Sequence, residues 1–266
     1  MSERPAICPP LPSALYENSV CSVSWAARDV GLDAIDYFKS GALATRLTDQ
    51  EARDELEAEI RSAAAREVAD ALVCDLLASD PDPEPWQIGE AMAEVLLEQW
   101  HDAVWIWNQG NDRRTPKASL PGADIVGFKT SNDGARFLFG EVKSSGDQSN
   151  PPGVLMGRKG MIHQLETLLT TPAHVWTLIR WLRARCSEQA AIDMYRQALE
   201  HHVGSKGKAL VLVGCLMRDT QPNEKDVSNR GKALAKAAGA EATVELHVWH
   251  LPHPLNDWAD YLEMPA

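Results

Sequence analysis

The chain has 266 residues, 44% of them hydrophobic and 24% charged, which excludes wholesale disorder, collagen-like repeats and a disulfide-stapled miniprotein. Its net charge of −12 is concentrated: residues 1–100 carry 7 Lys/Arg against 20 Asp/Glu, 101–160 carry 8 against 6, and 161–266 carry 11 against 12. A free-standing nucleic-acid binder draws most of its affinity from a basic field, so contact with DNA or RNA here needs a local patch, a metal or a partner.

The Pro-rich opening reads as irregular, and Ala26–Phe38 with its flanks as a short helix. From Thr48 to Ala78 the sequence predicts one long acidic helix, capped by Thr48 with Glu51 completing a capping box. Its apolar positions Leu56, Ile60, Ala63 or Ala64, Val68, Leu72 and Leu76 recur at helical spacing. The prolines of Asp80–Pro85 stop it. A second helix starts near Trp86, with an apolar stripe of Ile88, Met92, Val95, Leu96 and Trp100 and with Glu90, Glu94 and Glu98 spaced by four. Glu94 and Glu98 read as solvated, although Glu94 stands one turn from Glu90 and is an alternative helical acid.

Ala103–Asn108 alternates like a strand, followed by the basic loop Gln109–Ser119. Ala123–Lys129 and Ala135–Lys143 predict a hairpin with its turn at Thr130–Gly134. Helices follow over Val154–Leu169 and Ala173–His202, then a buried strand at Lys208–Met217, a helix at Glu224–Ala238 and a last strand at Ala242–His250. From residue 86 the order α-β-β-β-α-α-β-α-β predicts an α/β domain with a mixed central sheet flanked by helices, preceded by a helical, acidic extension over 1–85.

The longest apolar runs, such as Ala209–Met217, fall short of the ~20 residues of a bilayer span, and the N-terminus shows no secretory signal. Five cysteines (Cys8, Cys21, Cys74, Cys186 and Cys215) without a CxxC pair suit a reducing cytoplasm and argue against a disulfide frame or a zinc site. His201, His202, His247, His250 and His253 read as packing rather than a metal cluster. Trp100, Trp105 and Trp107 read as core, and Trp176 and Trp181 as lining an interface. Gly204–Lys208 lacks the P-loop pattern and precedes a strand, so no ATP site is expected.

Five positions converge on one chemistry. Glu141 and Lys143 share a strand face, the hairpin brings Asp124 toward Glu141, Glu90 lies on the preceding helix and Gln164 on the following one. Converging carboxylates repel unless a cation sits between them. Hard oxygens suit Mg²⁺ or Mn²⁺, which polarises a phosphodiester and activates water, while Lys143 would neutralise developing charge. Arg113, Arg114, Lys117, Arg158 and Lys159 flank this group as candidate phosphate contacts. Taken singly, an E-x-K triplet is weak and Asp124 after Pro121-Gly122 is compatible with a turn.

In order and spacing, Glu90, Asp124 and Glu141-x-Lys143 resemble the signature of the PD-(D/E)xK nuclease superfamily, and Gln164 resembles the glutamine of its RecB-like and Cas4-like branches. The proline that usually precedes the aspartate is replaced by Gly122-Ala123. More closely, IGEAMAEVLLEQW, the loop containing Lys117, LPGADIVGF and LFGEVKSS resemble the HamA family, effector nucleases of Hachiman-type anti-phage systems. The likeness spans about Ile88–Ser145. It implies a restriction-endonuclease-like core and a Mg²⁺- or Mn²⁺-dependent deoxyribonuclease, with Glu90, Asp124 and Glu141 as metal ligands and Lys143 and Gln164 completing the catalytic set. It also implies a cytoplasmic hetero-complex with DNA and a helicase-type (HamB-like) partner, without membrane attachment. The alternatives are a non-catalytic scaffold of the same fold and an autonomous restriction or recombination nuclease.

Overall fold

In the computed structural model, residues 12–48, 50–78, 83–107, 122–238 and 242–261 are described. The strands are β1 (Ser13–Val20), β2 (Val23–Asp29), β3 (Ala103–Val104), β4 (Ile125–Ser131), β5 (Gly134–Ser145), β6 (Val211–Arg218) and β7 (Thr243–His250). They form one mixed sheet in the order β1-β2-β7-β6-β5-β4-β3. The four middle strands β2, β7, β6 and β5 are parallel neighbours, and the pairs β1–β2, β5–β4 and β4–β3 are antiparallel.

The helices are α1 (Asp33–Tyr37), α2 (Ala44–Leu47), α3 (Gln50–Ala63), α4 (Arg66–Ala78), α5 (Pro85–Trp100), α6 (Met161–Thr170), α7 (Pro172–Arg185), α8 (Gln189–Gly204), α9 (Ser228–Ala238) and α10 (Trp258–Tyr261). Two apolar layers sandwich the sheet. On one face α6, α7, α8 and α9 bury Val126, Phe128, Phe137 and Phe139. On the other, α1, α5 and α10 bury Ile125, Leu138, Val142, Val213 and Trp249. The period-two alternation of β5 follows: Phe137 and Phe139 face α6, whereas Leu138 and Val142 face α5. Glu141 and Lys143 therefore emerge on the α6 face.

The α/β sheet flanked by helices is as expected, and so are the β4–β5 hairpin, β6, α9 and β7. Several boundaries differ. The first 85 residues are not all helical: β1 and β2 form a hairpin, and β2 runs beside β7 from Val23↔Val244 to Asp29↔His250. Ala26–Asp29 is strand, because Val23, Trp25 and Ala27 alternate into the core; the helix begins only at Asp33. The long acidic helix is two, broken at Ala64–Ala65. The expected stripe is not the buried one: Leu56 on α3 and Val68 and Leu72 on α4 are exposed, while Ala69 and Val73 on α4 are buried. Glu51 lies outside the residues whose side chains are described. The strand expected at Ala103–Asn108 covers only Ala103–Val104. Val154–Leu169 is a short 3-10 turn at Gly153–Leu155 followed by α6, and Ala173–His202 is split into α7 and α8.

α5 starts on a reciprocal cap: Glu84 N–H donates to Gln87 Oε1 at 2.9 Å, with Pro85 in the first turn. At Gly89 this helix lies so close to β5 that a Cβ would collide with the Ser144 hydroxyl. That close approach fixes where the next residue, Glu90, sits relative to the end of β5.

Candidate functional site

Asp124 immediately precedes β4, and the register Ile125↔Gly140 places it opposite Glu141. Gly122, at φ 122, turns the chain into that position, a conformation in which a side chain would be strained. The Asp124 carboxylate accepts the Val142 N–H at 3.0 Å, extending the ladder by one side-chain bond. Lys143, two residues beyond Glu141 on the same face, donates to Glu141 through a short hydrogen bond and stands 3.6 Å from Asp124 Oδ2. One cation thus bridges two carboxylates.

The charges do not balance. Glu141 is 2% exposed, and burial followed by the neighbouring Asp124 charge pushes its pKa up to about 8 despite Lys143. Burial works against the Lys143 ammonium too, but Asp124, Glu141 and then Glu90 outweigh it and hold its pKa above the ordinary value. Glu90 is half-buried and near enough for its charge to act on Lys143. Hard oxygen donors whose second negative charge forms only at the cost shown by the raised Glu141 pKa fit a divalent Mg²⁺ or Mn²⁺ ion. Asp124 and Glu141 are the pair that would hold it. Glu90, Asp124 and Glu141 do not draw their oxygens within 4.8 Å of one another as a set of three.

Gln164 is on α6, whose Met161 and Leu165 share the core with Phe137 and Phe139, the same face as Glu141. Its Oε1 is buried and has no hydrogen-bond partner among the described residues. Arg158 and Lys159 are exposed in the turn before α6. Arg113, Arg114 and Lys117 lie outside the described residues.

Glu94 is not solvated. It is 5% exposed, with Arg46 Nε at 3.9 Å, and Arg46 also binds Glu98 Oε2 at 2.5 Å. The partner is on α2, beyond the reach of any local reading of α5. Trp105 and Trp107 are partly buried as expected, and Trp107 meets Trp181 edge-on at 4.5 Å. Trp176 is 41% exposed.

The sequence reading missed a second polar cluster, on the α5 face. His101 caps the C-terminus of α5, and Glu245 and His247 alternate on β7. Glu245 is held by Lys129 Nζ at 2.6 and 2.8 Å, and His247 Nε2 stands 3.3 Å from Glu245 Oε2. Burial, then His247, pushes the His101 pKa down to about 3. Burial opposes the Glu245 charge, but His247 and Lys129 overcome it and hold the carboxyl at about 2. The available signal was the i, i+2 spacing of Glu245 and His247; His250, three residues on, falls on the opposite face of the strand.

No protein-family model and no curated protein sequence matches the chain. Among the described residues, no helix is long and apolar enough to cross a membrane.

Proposed function

We propose that the chain is a metal-dependent nuclease that hydrolyses phosphodiester bonds in DNA, with a PD-(D/E)xK-type core. Within that class we read it as a HamA-like effector subunit of an anti-phage complex, restrained by a helicase-type partner in the cytoplasm. The observation that carries the reading is Lys143 held between Asp124 and Glu141 on one face of the β4–β5 hairpin.

Asp124 and Glu141 would hold Mg²⁺ or Mn²⁺ through hard oxygens, with Glu90 completing the acidic side from α5. When bound, the cation supplies Lewis acidity toward a phosphate oxygen and lowers the pKa of an attacking water. Lys143, released from its contact with Glu141, then has three donors to offer. It stabilises the negative charge that grows on the phosphate in the transition state, or orients the water. Gln164, with its unspent Oε1, orients that water or Lys143 from α6. Arg158 and Lys159, with Arg113, Arg114 and Lys117, guide the backbone phosphates.

The α3–α4 pair supports the partner assignment. Glu55, Glu59 and Glu67 are exposed on it, and Leu56, Val68 and Leu72 are exposed beside them. An acidic surface of this kind repels DNA and complements a basic face on a nucleic-acid-handling protein.

The test is cleavage of plasmid and linear DNA by the purified chain, alone and co-purified with its partner, in Mg²⁺, Mn²⁺ or EDTA. Cleavage should require the divalent ion. Lys143→Ala should lower it by about 10²–10³-fold, the cost of one transition-state donor, with the fold retained. Undiminished cleavage by Lys143→Ala overturns the mechanism. DNA binding without cleavage under every condition favours the scaffold reading. Charge reversal at Glu55, Glu59 and Glu67 should dissociate the partner in size-exclusion chromatography.

A further inference from the structure

We propose that His101, Glu245 and His247 form a binding site for a borderline transition cation, Zn²⁺ by its chemistry, on the face of the sheet opposite Asp124 and Glu141. Each residue offers one ligand atom, and the three atoms lie within 4.8 Å of one another. A tetrahedral ion about 2.0–2.1 Å from each ligand separates neighbouring ligand atoms by about 3.3 Å. His247 Nε2 and Glu245 Oε2 already stand 3.3 Å apart.

His101 supplies the independent observation. Its Nε2 is buried with no hydrogen-bond partner among the described residues, which leaves its lone pair or proton open to an ion or a water. The His101 and His247 rings are 4.1 Å apart between centroids, tilted by 50°. Two imidazoles and one carboxylate suit Zn²⁺ rather than Mg²⁺, which prefers all-oxygen shells.

Lys129 takes the place of an outer-sphere partner. It grips both Glu245 oxygens at 2.6 and 2.8 Å, yet a carboxylate has about four lone-pair positions, so Oε2 retains one for a metal. Held in this way the carboxylate is already oriented. The 3.3 Å contact between His247 Nε2 and Glu245 Oε2 is exchanged for a bond to the ion when that nitrogen coordinates. Three protein ligands leave a fourth position to water. Because His101 closes α5 and the other two ligands lie on β7, the ion would tie the end of the Glu90-bearing helix to the middle of the sheet.

The experiment uses the full chain, stripped with chelator and dialysed against Zn²⁺, with bound metal counted by mass spectrometry and Co²⁺ as the optical probe. Wild type should retain one equivalent of Zn²⁺, show the visible bands of four-coordinate Co²⁺ and melt at a higher temperature with Zn²⁺ than without. Outer partners of a metal site are worth 10- to 100-fold in affinity, so losing a ligand in His101→Ala or His247→Gln should weaken Zn²⁺ binding by more than about 100-fold. Asp124→Asn should retain the ion. No stoichiometric Zn²⁺ on wild type overturns the site. So does undiminished binding by His247→Gln, a variant of similar shape that guards against misfolding of His101→Ala. Loss in Asp124→Asn alone assigns the ion to the carboxylate–lysine cluster and overturns it equally.

Discussion

Glu141 and Glu245 stand on opposite faces of the sheet with only β6 between their strands. Both are largely buried, both meet a lysine, and they end in opposite states. Burial pushes each carboxyl up. At Glu141 the Asp124 charge adds to burial and Lys143 fails to offset the pair, leaving a pKa of about 8. At Glu245 no second carboxylate is among the causes, and His247 and Lys129 bring the value to about 2. On the α6 face the unmet quantity is positive charge, which the proposed hard dication would supply. On the α5 face the Glu245 charge is already met, and what stands unused is the nitrogen of His101, which a borderline ion accepts. On the two proposals made above, the clusters would take different metals.

The contrast can be broken from the Glu245 side first. Lys129→Met leaves a largely buried carboxylate with His247 alone, and should cost about 3 kcal/mol of stability, the low end for a buried pair that loses one partner. Urea titration at neutral pH reads it, and an unchanged midpoint would show that Lys129 is not what holds Glu245. The sign on pH is fixed. The folded pKa of Glu245 is depressed, so its contribution is present above the ordinary carboxylate range and is lost as pH falls toward 2. Lys129→Met should flatten that acid limb.

Glu141 has the opposite sign. Its folded pKa is raised, so the folded chain keeps a proton that the unfolded chain has released, and stability falls as pH rises toward 8. His101, His202 and His250 are depressed in the fold and destabilise it only as pH drops below about 6.5. The histidines are therefore silent from pH 6.5 to 8, where Glu141 titrates. In chelator, stability should decline there by about 2 kcal/mol; Glu141→Gln should level the slope, and so should saturating Mg²⁺. A slope that survives in Glu141→Gln belongs to another group.

The smallest effect concerns the rim of the α6 face. Arg158→Glu and Lys159→Glu should each reduce the salt slope of DNA binding by about one unit. An unchanged slope puts the phosphate path elsewhere.

What could be read without coordinates follows from how local each feature is. Asp124, Glu141 and Lys143 lie within one hairpin whose turn ends at Gly134, so spacing alone put them together. β6 was legible because every residue in it is buried. β1 was not: none of its residues is fully buried, so no alternation marks it. The break between α3 and α4 falls in a run of alanines, the best helix formers, with no Gly or Pro to announce it. Glu94 reads as one of three evenly spaced surface acids until Arg46 is seen beside it. His101, Lys129 and Glu245 come from three separate elements, and only the order of the strands brings them together.

The parallel seam between β2 and β7 also sets a timetable. During synthesis Val23–Asp29 emerges early, yet the edge it must pair with, Val244 through His250, is made after nearly all of the intervening chain. Long-range parallel pairing of this kind is slow to form: until β7 arrives one backbone edge of β2 stays unpaired, and until α9 arrives its Val23, Trp25 and Ala27 face lacks its cover. The chemistry-bearing hairpin β4–β5 can form from local contacts long before that, but the sheet that buries Glu141 closes last. A ribosome-bound or truncated chain short of residue 250 would therefore display an open, sticky strand edge, and its fate would fall to chaperones.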